Sequence, residues 1–537
     1  MKNSAIKAAW AVFAAAVFIS AMARGQNLDQ IGVTLLRDET TNLNGAGIRV
    51  AQPEAGYNLV TNWEVNPVAV GQPPGFLTYI SASGSTTAFP NSLSSESSHA
   101  DSVAELFYGI SSGVATNVAH ADNFDANYFY NSIIAGTVPS NIGDAVVNQS
   151  FTFGNVTNNF QTNGSVSVSE QQTVDSKYDN YATQFKTLFV SAVNNQYSVS
   201  PPGTSYNCIG VAAYGGGSSV GPTLDNGRCK PDITAPGGET SYSTPLVSGA
   251  AAVLMQAALR GDGGSDTNSA ADMRTLKALL LNGAIKPAGW TNVPPQPLDT
   301  NYGAGVLNVF NSYEQLAGGK QGYIVSASVT SGGAHPPTGN LGTVGTLSGW
   351  DFNSISSTSA GIFSSATDGV NHYYFNVTNN FSGQNFTATA TLVWNRQQNQ
   401  TAINNLDLYL YNCASSNLVA CSTSLVDNVE HIWLPQLPQG RYDLQVLKNS
   451  GNSASDSESY ALAWEFFTPT LSVANTGTNI ALTFPVYPAG FYAEAATSLS
   501  PPINWNTNLS PPVVTGGQNL ILLDPANAAQ FFRLLRP

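Results

Sequence analysis

The chain has 537 residues, more than one ordinary domain contains, so we expect two or three domains. Its formal net charge is −14, and only 10% of its residues are charged. Nucleic acids and anionic membranes are bound by clustered Lys and Arg, so this composition excludes both as expected partners. Asn, Ser, Thr and Gly take the place of charged residues, a balance typical of a secreted, β-rich protein.

The N-terminus has the pattern of a secretory signal peptide. Lys2 and Lys7 precede an apolar run over residues 8–21, and Ala21-Met22-Ala23 is a small-x-small site at which a signal peptidase cuts. The run is too short to span a bilayer comfortably, and no later segment offers a long uncharged apolar stretch. We therefore expect residues 1–23 to be a signal peptide and the mature protein to be secreted, without a membrane span.

From about residue 45 to residue 318, short apolar runs alternate with helix-like stretches. Runs that are apolar without alternation are typical of strands covered on both faces by helices. They occur at residues 48–51, 117–119, 144–148, 188–192 and 208–212. The pattern predicts a parallel α/β sheet, and we assign it to a domain over residues 24–320.

The second half of the chain has the pattern of an all-β protein. After the Gly- and Pro-rich stretch at residues 331–337, strands alternate between apolar and polar positions, as at 388–394 and 406–411. We assign residues 321–467 to a β-sandwich domain. From about residue 468 the Pro, Asn and Gly content rises and strands shorten, which predicts a small β module over residues 468–537.

Ser241 lies where a buried helix is predicted to begin. Residues 238–245 read G-E-T-S-Y-S-T-P and lead into a run of small and apolar residues. A serine just before a proline-started helix lies at the positive end of the helix dipole, where unpaired N–H groups can hold a developing negative charge. The pattern indicates a nucleophile, although an ordinary helix start gives the same letters.

A hydrolytic serine needs a histidine as base and a carboxylate that orients the base. His99 begins a predicted helix after the capping residues Ser97 and Ser98, so one edge of its ring can face a cleft. Glu54 follows the first predicted strand. We expect His99 to be the base and Glu54 the acid. The alternatives are His120 as base and a surface role for Glu54.

Several motifs resemble those of the subtilisin-like serine proteases, or subtilases. Residues 230–237 read K-P-D-I-T-A-P-G and residues 302–308 read Y-G-A-G-V-L-N, both close to family motifs. The run G-A-G-I-R-V-A before Glu54 and the H-x-x-x-V-A that starts at His99 resemble the family's acid and base segments. The chain order acid, base, nucleophile is the subtilisin one. The resemblance covers about residues 40–318 and implies a subtilisin-like fold.

The resemblance also implies the rest of the site. The family's oxyanion-donating asparagine corresponds to Asn195, with Asn194 in place of a glycine. The strand that binds substrate corresponds to Ser150-Phe151-Thr152, which would pair with extended polypeptides through backbone hydrogen bonds. The expected activity is that of a secreted serine endopeptidase that forms an acyl-enzyme on Ser241.

A second function stays open. Glu54 replaces the family's aspartate, Glu239 replaces a glycine near the nucleophile, and the His99 motif keeps few of its usual residues. These departures leave the alternative of a catalytically inactive relative that acts as an extracellular binding or adhesion protein.

The four cysteines fall into two local pairs. Cys208 and Cys229 are one pair, and Cys413 and Cys421 are the other. An oxidising compartment would allow a disulfide within each pair, although four cysteines permit three connectivities and buried thiols are the alternative.

The β-sandwich region resembles the C-terminal jelly-roll domain that follows the catalytic domain in some secreted subtilases. Its carboxylates Asp407, Asp427 and Glu430 are candidate ligands for a structural calcium ion, but strand-end and turn roles are the simpler expectation. We assign no cofactor and no metal site, leave calcium open as a structural ion, and expect a monomer.

Overall fold

The computed structural model describes residues 27–56, 62–153, 166–196, 198–339, 342–379, 383–451, 453–507, 509–515, 518–524 and 530–535. The signal peptide predicted at residues 1–23 lies outside the described residues. The chain divides into two compact units: Met1–Arg260 with Val306–Val309, and Gly261–Gly305 with Phe310–Pro537. Residues 261–305 therefore group with the β-rich part of the chain.

The first unit is built on an eight-stranded sheet with the order β10-β9-β8-β7-β1-β6-β3-β4. All neighbours in it are parallel except β3 and β4. A separate parallel pair is formed by β2 and β5. The strands are β1 (Arg49–Glu54), β2 (Asn62–Glu64), β3 (Leu77–Ser81), β4 (Gly84–Thr86), β5 (Ser95–Glu96), β6 (His120–Asp125), β7 (Val146–Gln149), β8 (Leu188–Ala192), β9 (Cys208–Tyr214) and β10 (Ile233–Pro236).

Helices cover both faces of this sheet. They are α1 (Val33–Glu39), α2 (Ser98–Phe107), α3 (Ala126–Tyr128), which continues into a π-helix at Phe129–Ile134, α4 (Val168–Phe185) and α5 (Thr240–Arg260). Successive residues of β7 point to opposite faces: Asn148 accepts from the Ser248 hydroxyl of α5 at 2.8 Å, and Gln149 donates to the Tyr178 hydroxyl of α4 at 2.7 Å. The predicted parallel sheet between two helical layers is confirmed.

Helix α5 is the central helix of this unit. It is long and apolar enough by composition to cross a membrane, but 83% of the relevant window is buried inside the protein. Gly249 lets it approach its neighbours closely, because a Cβ at this position would lie 2.5 Å from Cβ of Val114. The small residues that follow Ser241 in the sequence are therefore explained by close packing.

The second unit begins with two helices and contains two antiparallel sheets, with orders β11-β13-β18-β15-β16 and β12-β19-β14-β17. Phe375 of β13 packs against Trp464 and Phe466 of β19, with ring centroids 5.6 and 4.7 Å apart, so the sheets face each other as a β-sandwich. The elements are α6 (Thr267–Ala270), α7 (Met273–Asn282), α8 (Val309–Ala317), β11 (Val325–Thr330), β12 (Ser348–Ser356), β13 (Thr367–Val377), β14 (Phe386–Trp394), β15 (Leu406–Asn412), β16 (Leu418–Ser422), β17 (Val429–Leu437), β18 (Gly440–Lys448) and β19 (Ser457–Phe467).

Helix α7 packs on the sandwich, and its last residue is fixed there. Asn282 is 2% exposed, and its Oδ1 accepts from the hydroxyls of Thr389 and Thr391 on β14, both at 2.9 Å. Nearly all residues of α7 are buried.

The C-terminal strands form two smaller sheets, with orders β20-β21-β24-β23 and β22-β25. Their own small core contains Leu482, Phe484, Ala493 and Ile521. The strands are β20 (Ser472–Asn475), β21 (Ile480–Pro485), β22 (Tyr492–Ala496), β23 (Val513–Thr515), β24 (Gln518–Leu523) and β25 (Phe531–Leu535).

The two predicted disulfides are not formed, and this prediction is wrong. The thiol of Cys208 is turned toward the Pro202 carbonyl, with Sγ and O 3.2 Å apart, and does not bond to Cys229. In the second pair, Cys421 lies opposite Tyr409 in the β15–β16 ladder. Cys413 comes four residues after Tyr409, a distance of roughly 13 Å at the rise of a strand. A disulfide needs Cα atoms within about 7 Å.

Candidate active site

Glu54 and His99 are hydrogen-bonded to each other at the carboxyl edge of the eight-stranded sheet. Glu54 is the last residue of β1, and His99 lies in the first turn of α2, which Ser97 caps by accepting from the Ala100 N–H. His99 Nδ1 and Glu54 Oε2 are 3.1 Å apart. Glu54 is 1% exposed, whereas the His99 side chain is 28% exposed. A buried carboxylate thus orients an imidazole that keeps access to solvent.

Gln52, also on β1, holds the second oxygen of Glu54. Its Nε2 donates to Glu54 Oε1 at 2.9 Å and to the Ala100 carbonyl at 3.0 Å, while its Oε1 accepts from the Tyr108 hydroxyl at 2.7 Å. Burial raises the pKa of Tyr108 well above its usual value, so this hydroxyl stays a donor. Tyr108 therefore fixes the Gln52 amide with its NH₂ group toward Glu54.

The charges around His99 favour its protonated form. Burial by itself lowers the pKa of His99, but the charge of Glu54, the hydrogen bond to it and the charge of Glu239 together raise that pKa above its usual value. Glu239 is exposed and lies two residues before Ser241 in the chain. The surroundings thus stabilise the imidazolium, the form that a general base reaches when it takes a proton.

Ser241 is in the first turn of α5. The ring of the following residue, Tyr242, has its centroid 5.9 Å from that of His99. The Ser241 hydroxyl donates to the Ser150 carbonyl at 3.2 Å, and the Ser150 hydroxyl donates to the Ser241 carbonyl at 2.9 Å. The nucleophile candidate is therefore hydrogen-bonded to the main chain and not to His99. Catalytic hydrogen bonds are often absent or poorly aligned before substrate binds.

Asn195 connects the end of β8 to the start of α5. Its Oδ1 accepts from both the N–H and the hydroxyl of Thr240, each at 2.7 Å. These bonds fix the amide plane, and its Nδ2 makes no hydrogen bond within the described residues. An oriented N–H₂ group next to Ser241 is the kind of donor that an oxyanion hole requires.

Asn194 has a φ of 100°, a conformation that favours glycine. Asparagine tolerates positive φ better than most side chains because it bonds to nearby main chain. Its Oδ1 accepts from the Asn195 N–H at 2.8 Å, and its Nδ2 donates to the Ser200 hydroxyl at 3.2 Å. Asparagine therefore fits this turn in place of the glycine that the resemblance led us to expect.

Ser150, Phe151 and Thr152 follow directly after β7. Ser150 is bonded to Ser241, and Phe151 is 7% exposed and packs edge-on against Phe153. Neither the N–H nor the C=O of Thr152 is hydrogen-bonded within the part of the chain that the structure describes, whereas the Phe153 N–H donates to Pro201 at 2.8 Å. Thr152 thus presents main-chain groups with which an extended peptide can pair.

His120 lies far along the sheet from Glu54. It opens β6 opposite Arg49, the first residue of β1, whereas Glu54 pairs with Asp125 at the other end. His120 Nε2 is 2.7 Å from the Thr78 hydroxyl and 3.2 Å from Asp122. The structure therefore brings Glu54 together with His99 and not with His120.

The calcium candidates Asp407, Asp427 and Glu430 bond to protein donors. Asp407 accepts from Asn449 at 2.8 Å, Asp427 from the Ser424 hydroxyl at 2.7 Å and Glu430 from the Ser424 N–H at 2.6 Å. Over the described ranges, no group of three or more His, Cys, Asp or Glu side chains has the arrangement of a metal site.

Gln52 and Tyr108 were not predicted from the sequence. The one signal in the sequence is that Gln52 is a polar residue between Ala51 and Pro53 in the interior of β1, and the structure buries it completely. Such a residue needs hydrogen-bond partners, but the sequence alone does not tell which ones.

Residues 79–305 match the model of the subtilase family, Peptidase_S8. The matched range includes His99, Asn195 and Ser241 and begins after β1, so Glu54 precedes it. No curated protein matches the chain. The matched range takes in most of the α/β part of this chain, which has the subtilisin-like parallel-sheet fold, and antiparallel β-sheets follow it.

The chain is also similar to solved structures of proteases. One is the prenylagaramide maturation protease PagA, with 18% identity, a TM-score of 0.33 and coverage of 54% of this chain and 99% of that chain. Another is the serine protease of Aeromonas sobria, with 13% identity, a TM-score of 0.35 and coverage of 92% and 89%. The same Aeromonas protease in complex with its chaperone has 13% identity, a TM-score of 0.31 and coverage of 79% and 89%.

Proposed function

We propose that this protein is a secreted serine endopeptidase with Ser241 as nucleophile, His99 as base and Glu54 as the orienting acid. The observation that carries the proposal is the buried Glu54 carboxylate. One of its oxygens is 3.1 Å from His99 Nδ1, and the other accepts a hydrogen bond from Gln52. A carboxylate in this position selects the imidazole tautomer with the proton on Nδ1 and leaves Nε2 as the base. An exposed histidine without such a partner has no defined orientation.

The reaction begins when the Ser241 hydroxyl turns from the Ser150 carbonyl toward His99. His99 Nε2 takes the proton as Ser241 Oγ bonds to the carbonyl carbon of the peptide, and Glu54 stabilises the imidazolium. The negative charge moves to the carbonyl oxygen, where Asn195 Nδ2 and the Ser241 N–H donate to it. His99 then protonates the leaving amine as the C–N bond breaks. A water molecule then takes the place of the amine: His99 accepts its proton as it attacks the acyl carbonyl, and returns that proton to Ser241 Oγ as the ester C–O bond breaks and the acid product leaves.

The substrate is an extended polypeptide. The N–H and C=O of Thr152 make no hydrogen bond to any residue that the structure describes, and Ser150, two residues earlier, is hydrogen-bonded to Ser241. Binding through main-chain bonds tolerates many side chains, so we propose an endopeptidase without a narrow sequence requirement. The N-terminal pattern of Lys residues, apolar run and small-x-small site supports secretion.

The test is active-site labelling of the purified secreted protein with a fluorophosphonate, together with casein cleavage. The wild-type protein should be labelled and should cleave casein, and Ser241→Ala should do neither. The matched control is Ser243→Ala, two residues further along the same helix, which should keep both properties. A triad contributes about 10⁶ in rate, so the difference is large. Labelling or cleavage that persists in Ser241→Ala would contradict the assignment.

One observation favours the second function, a catalytically inactive binding or adhesion protein. The Ser241 hydroxyl is bonded to the Ser150 carbonyl and not to His99. If that bond persists with substrate present, His99 cannot take the serine proton. A folded wild-type protein that binds casein but is not labelled would support this second function.

A further inference from the structure

A cleft of about 710 Å³ lies in the second compact unit. It is lined by the segment 286–290 after α7, by β14 and β17, by the residues that follow β19, and by β25. Its volume is in the range of small-molecule sites, which often form where chain modules meet. No residue of the candidate active site lines it.

Aromatic rings form much of its wall. Trp290, Trp433, Phe467, Phe491 and Phe532 all line the cleft, and both tryptophans are partly exposed. Such rings offer large, rigid apolar surfaces at a low cost in side-chain entropy. A ligand that packs on them needs flat apolar faces.

Amides and hydroxyls stand beside these rings. Asn385 and Gln436 are exposed neighbours, and Asn385 Nδ2 donates to Gln436 Oε1 at 2.9 Å. Their remaining polar atoms, Asn385 Oδ1 and Gln436 Nε2, make no hydrogen bond within the described residues. The cleft thus presents an acceptor next to a donor. Two adjacent hydroxyl groups of a ligand can bond to both, because each hydroxyl donates and accepts.

The charges in the cleft are already matched. Lys286 is 2% exposed, and its ammonium lies 5.1 and 5.2 Å from the ring centroids of Trp290 and Trp433 and donates to the Ala284 carbonyl. Arg533 pairs with Glu494 at 2.7 Å. No Asp or Glu of the described chain lines the cleft. Both lining cations thus already have partners among the described residues, and no lining carboxylate is present there to attract a cation.

We infer that this cleft binds a short neutral oligosaccharide. Pyranose rings have apolar C–H faces that pack on aromatic rings and adjacent hydroxyls that bond to paired amides, and neutral sugars need no countercharge. The cleft provides these features together. The ligand class follows from this combination and does not depend on the activity of Ser241.

The test uses the full chain with Ser241→Ala, so that no proteolysis interferes. Tryptophan fluorescence and calorimetry are measured with a panel of neutral gluco-, xylo-, manno- and chito-oligosaccharides. We expect saturable binding of at least one member. Asn385→Ala, Gln436→Ala and Trp433→Ala should each weaken that binding at least tenfold. The matched control is Phe363→Ala, which removes a fully exposed ring that does not line the cleft and should leave the affinity unchanged.

Asn385 and Gln436 lie at the surface, so their substitutions keep the test decisive even if Trp433→Ala does not fold. The inference is overturned if no neutral oligosaccharide binds at millimolar concentration, or if binding survives both amide substitutions. It is also overturned if only charged sugars or proline-rich peptides bind.

Discussion

Glu54 Oε2 lies 3.1 Å from His99 Nδ1, and Gln52 Nε2 lies 2.9 Å from the other oxygen of the same carboxylate. A glutamate thus occupies the position that an aspartate has in the family that the sequence resembles. Its extra methylene is accommodated because Gln52, two residues earlier on the same strand, fixes the far side of the carboxylate. The geometry of the orienting acid is therefore shared between two residues of β1.

Removing the charge of Glu54 should impair catalysis while the fold persists. Glu54→Gln presents an amide that no longer favours the productive tautomer of His99, and such a change lowers kcat by about 10⁴-fold. Glu54→Asp should also lose activity, by about 10- to 100-fold, because the shorter carboxylate no longer reaches His99. Both are measured as kcat and KM on a peptide substrate. Higher activity for Glu54→Asp than for the wild type would contradict the role given to Gln52.

Gln52 is expected to act as a positioning residue through Glu54. Gln52→Met keeps the volume but removes its bonds to Glu54, Ala100 and Tyr108. We expect a loss of stability of about 1–3 kcal/mol from the unpaired buried groups, and a fall in kcat with KM nearly unchanged. Tyr108→Phe is the matched partner in a double-mutant cycle by denaturant unfolding. Purely additive effects would show that the two side chains do not act as one unit.

Glu239 should set the acid limb of the pH–rate profile. Activity needs neutral His99, so the rate rises as the pH passes upward through the pKa of His99. Glu239 helps raise that pKa, so Glu239→Gln should move the acid limb of kcat/KM to lower pH. The control Glu39→Gln removes an equally exposed charge on α1 and should leave the limb in place. A shift to higher pH in Glu239→Gln would have the wrong sign.

Asn195 offers a substitution that separates its two roles. Asn195→Asp keeps the oxygen that accepts from Thr240 but replaces the Nδ2 donor, so the start of α5 stays fixed while the oxyanion loses a bond. We expect kcat to fall by about 10²- to 10³-fold with little change in KM. Thermal unfolding checks that α5 is intact. Equal activity of Asn195→Asp and the wild type would exclude Asn195 as an oxyanion donor.

Asp144 should make the fold less stable as the pH rises. Burial and the nearby Asp122 raise the pKa of Asp144 to about 9, against the opposing effect of Arg49. The folded state therefore holds this proton more tightly than the unfolded state, so stability falls from about pH 4 toward pH 9. Asp144→Asn should raise the free energy of unfolding by about 1–3 kcal/mol near pH 8 and give no gain near pH 4. The control Asp38→Asn, exposed on α1, should do neither.

Apolar periodicity and motif order were sufficient to predict the parallel sheet, the helix that starts near Ser241 and the following antiparallel sheets. Strands such as β8 and β9 are apolar along most of their length because both faces are covered, and this leaves a direct trace in the sequence. The disulfides were predicted wrongly because proximity in sequence does not give register. Cys421 lies opposite Tyr409 in the β15–β16 ladder, so Cys413, four residues after Tyr409, lies beyond the end of that ladder.

The hydrogen bonds that position the candidate site could not be predicted from the sequence either. The contacts of Gln52 with Ala100 and Tyr108 join residues that are 48 and 56 positions apart, and no local pattern encodes them. For the turn at Asn194, the sequence showed only that an asparagine replaces the glycine of the family that the chain resembles. Its positive φ and its two side-chain bonds explain why an asparagine fits there.

The packing of α7 on the β-sandwich limits where the chain can be truncated. A fragment that ends near residue 320 would retain α7 but lack β14, so the buried Asn282 would lose both threonine hydroxyls and the apolar side of the helix would face water. Residues 261–305 should therefore be stable only in fragments that include the sandwich, although the family match ends at residue 305.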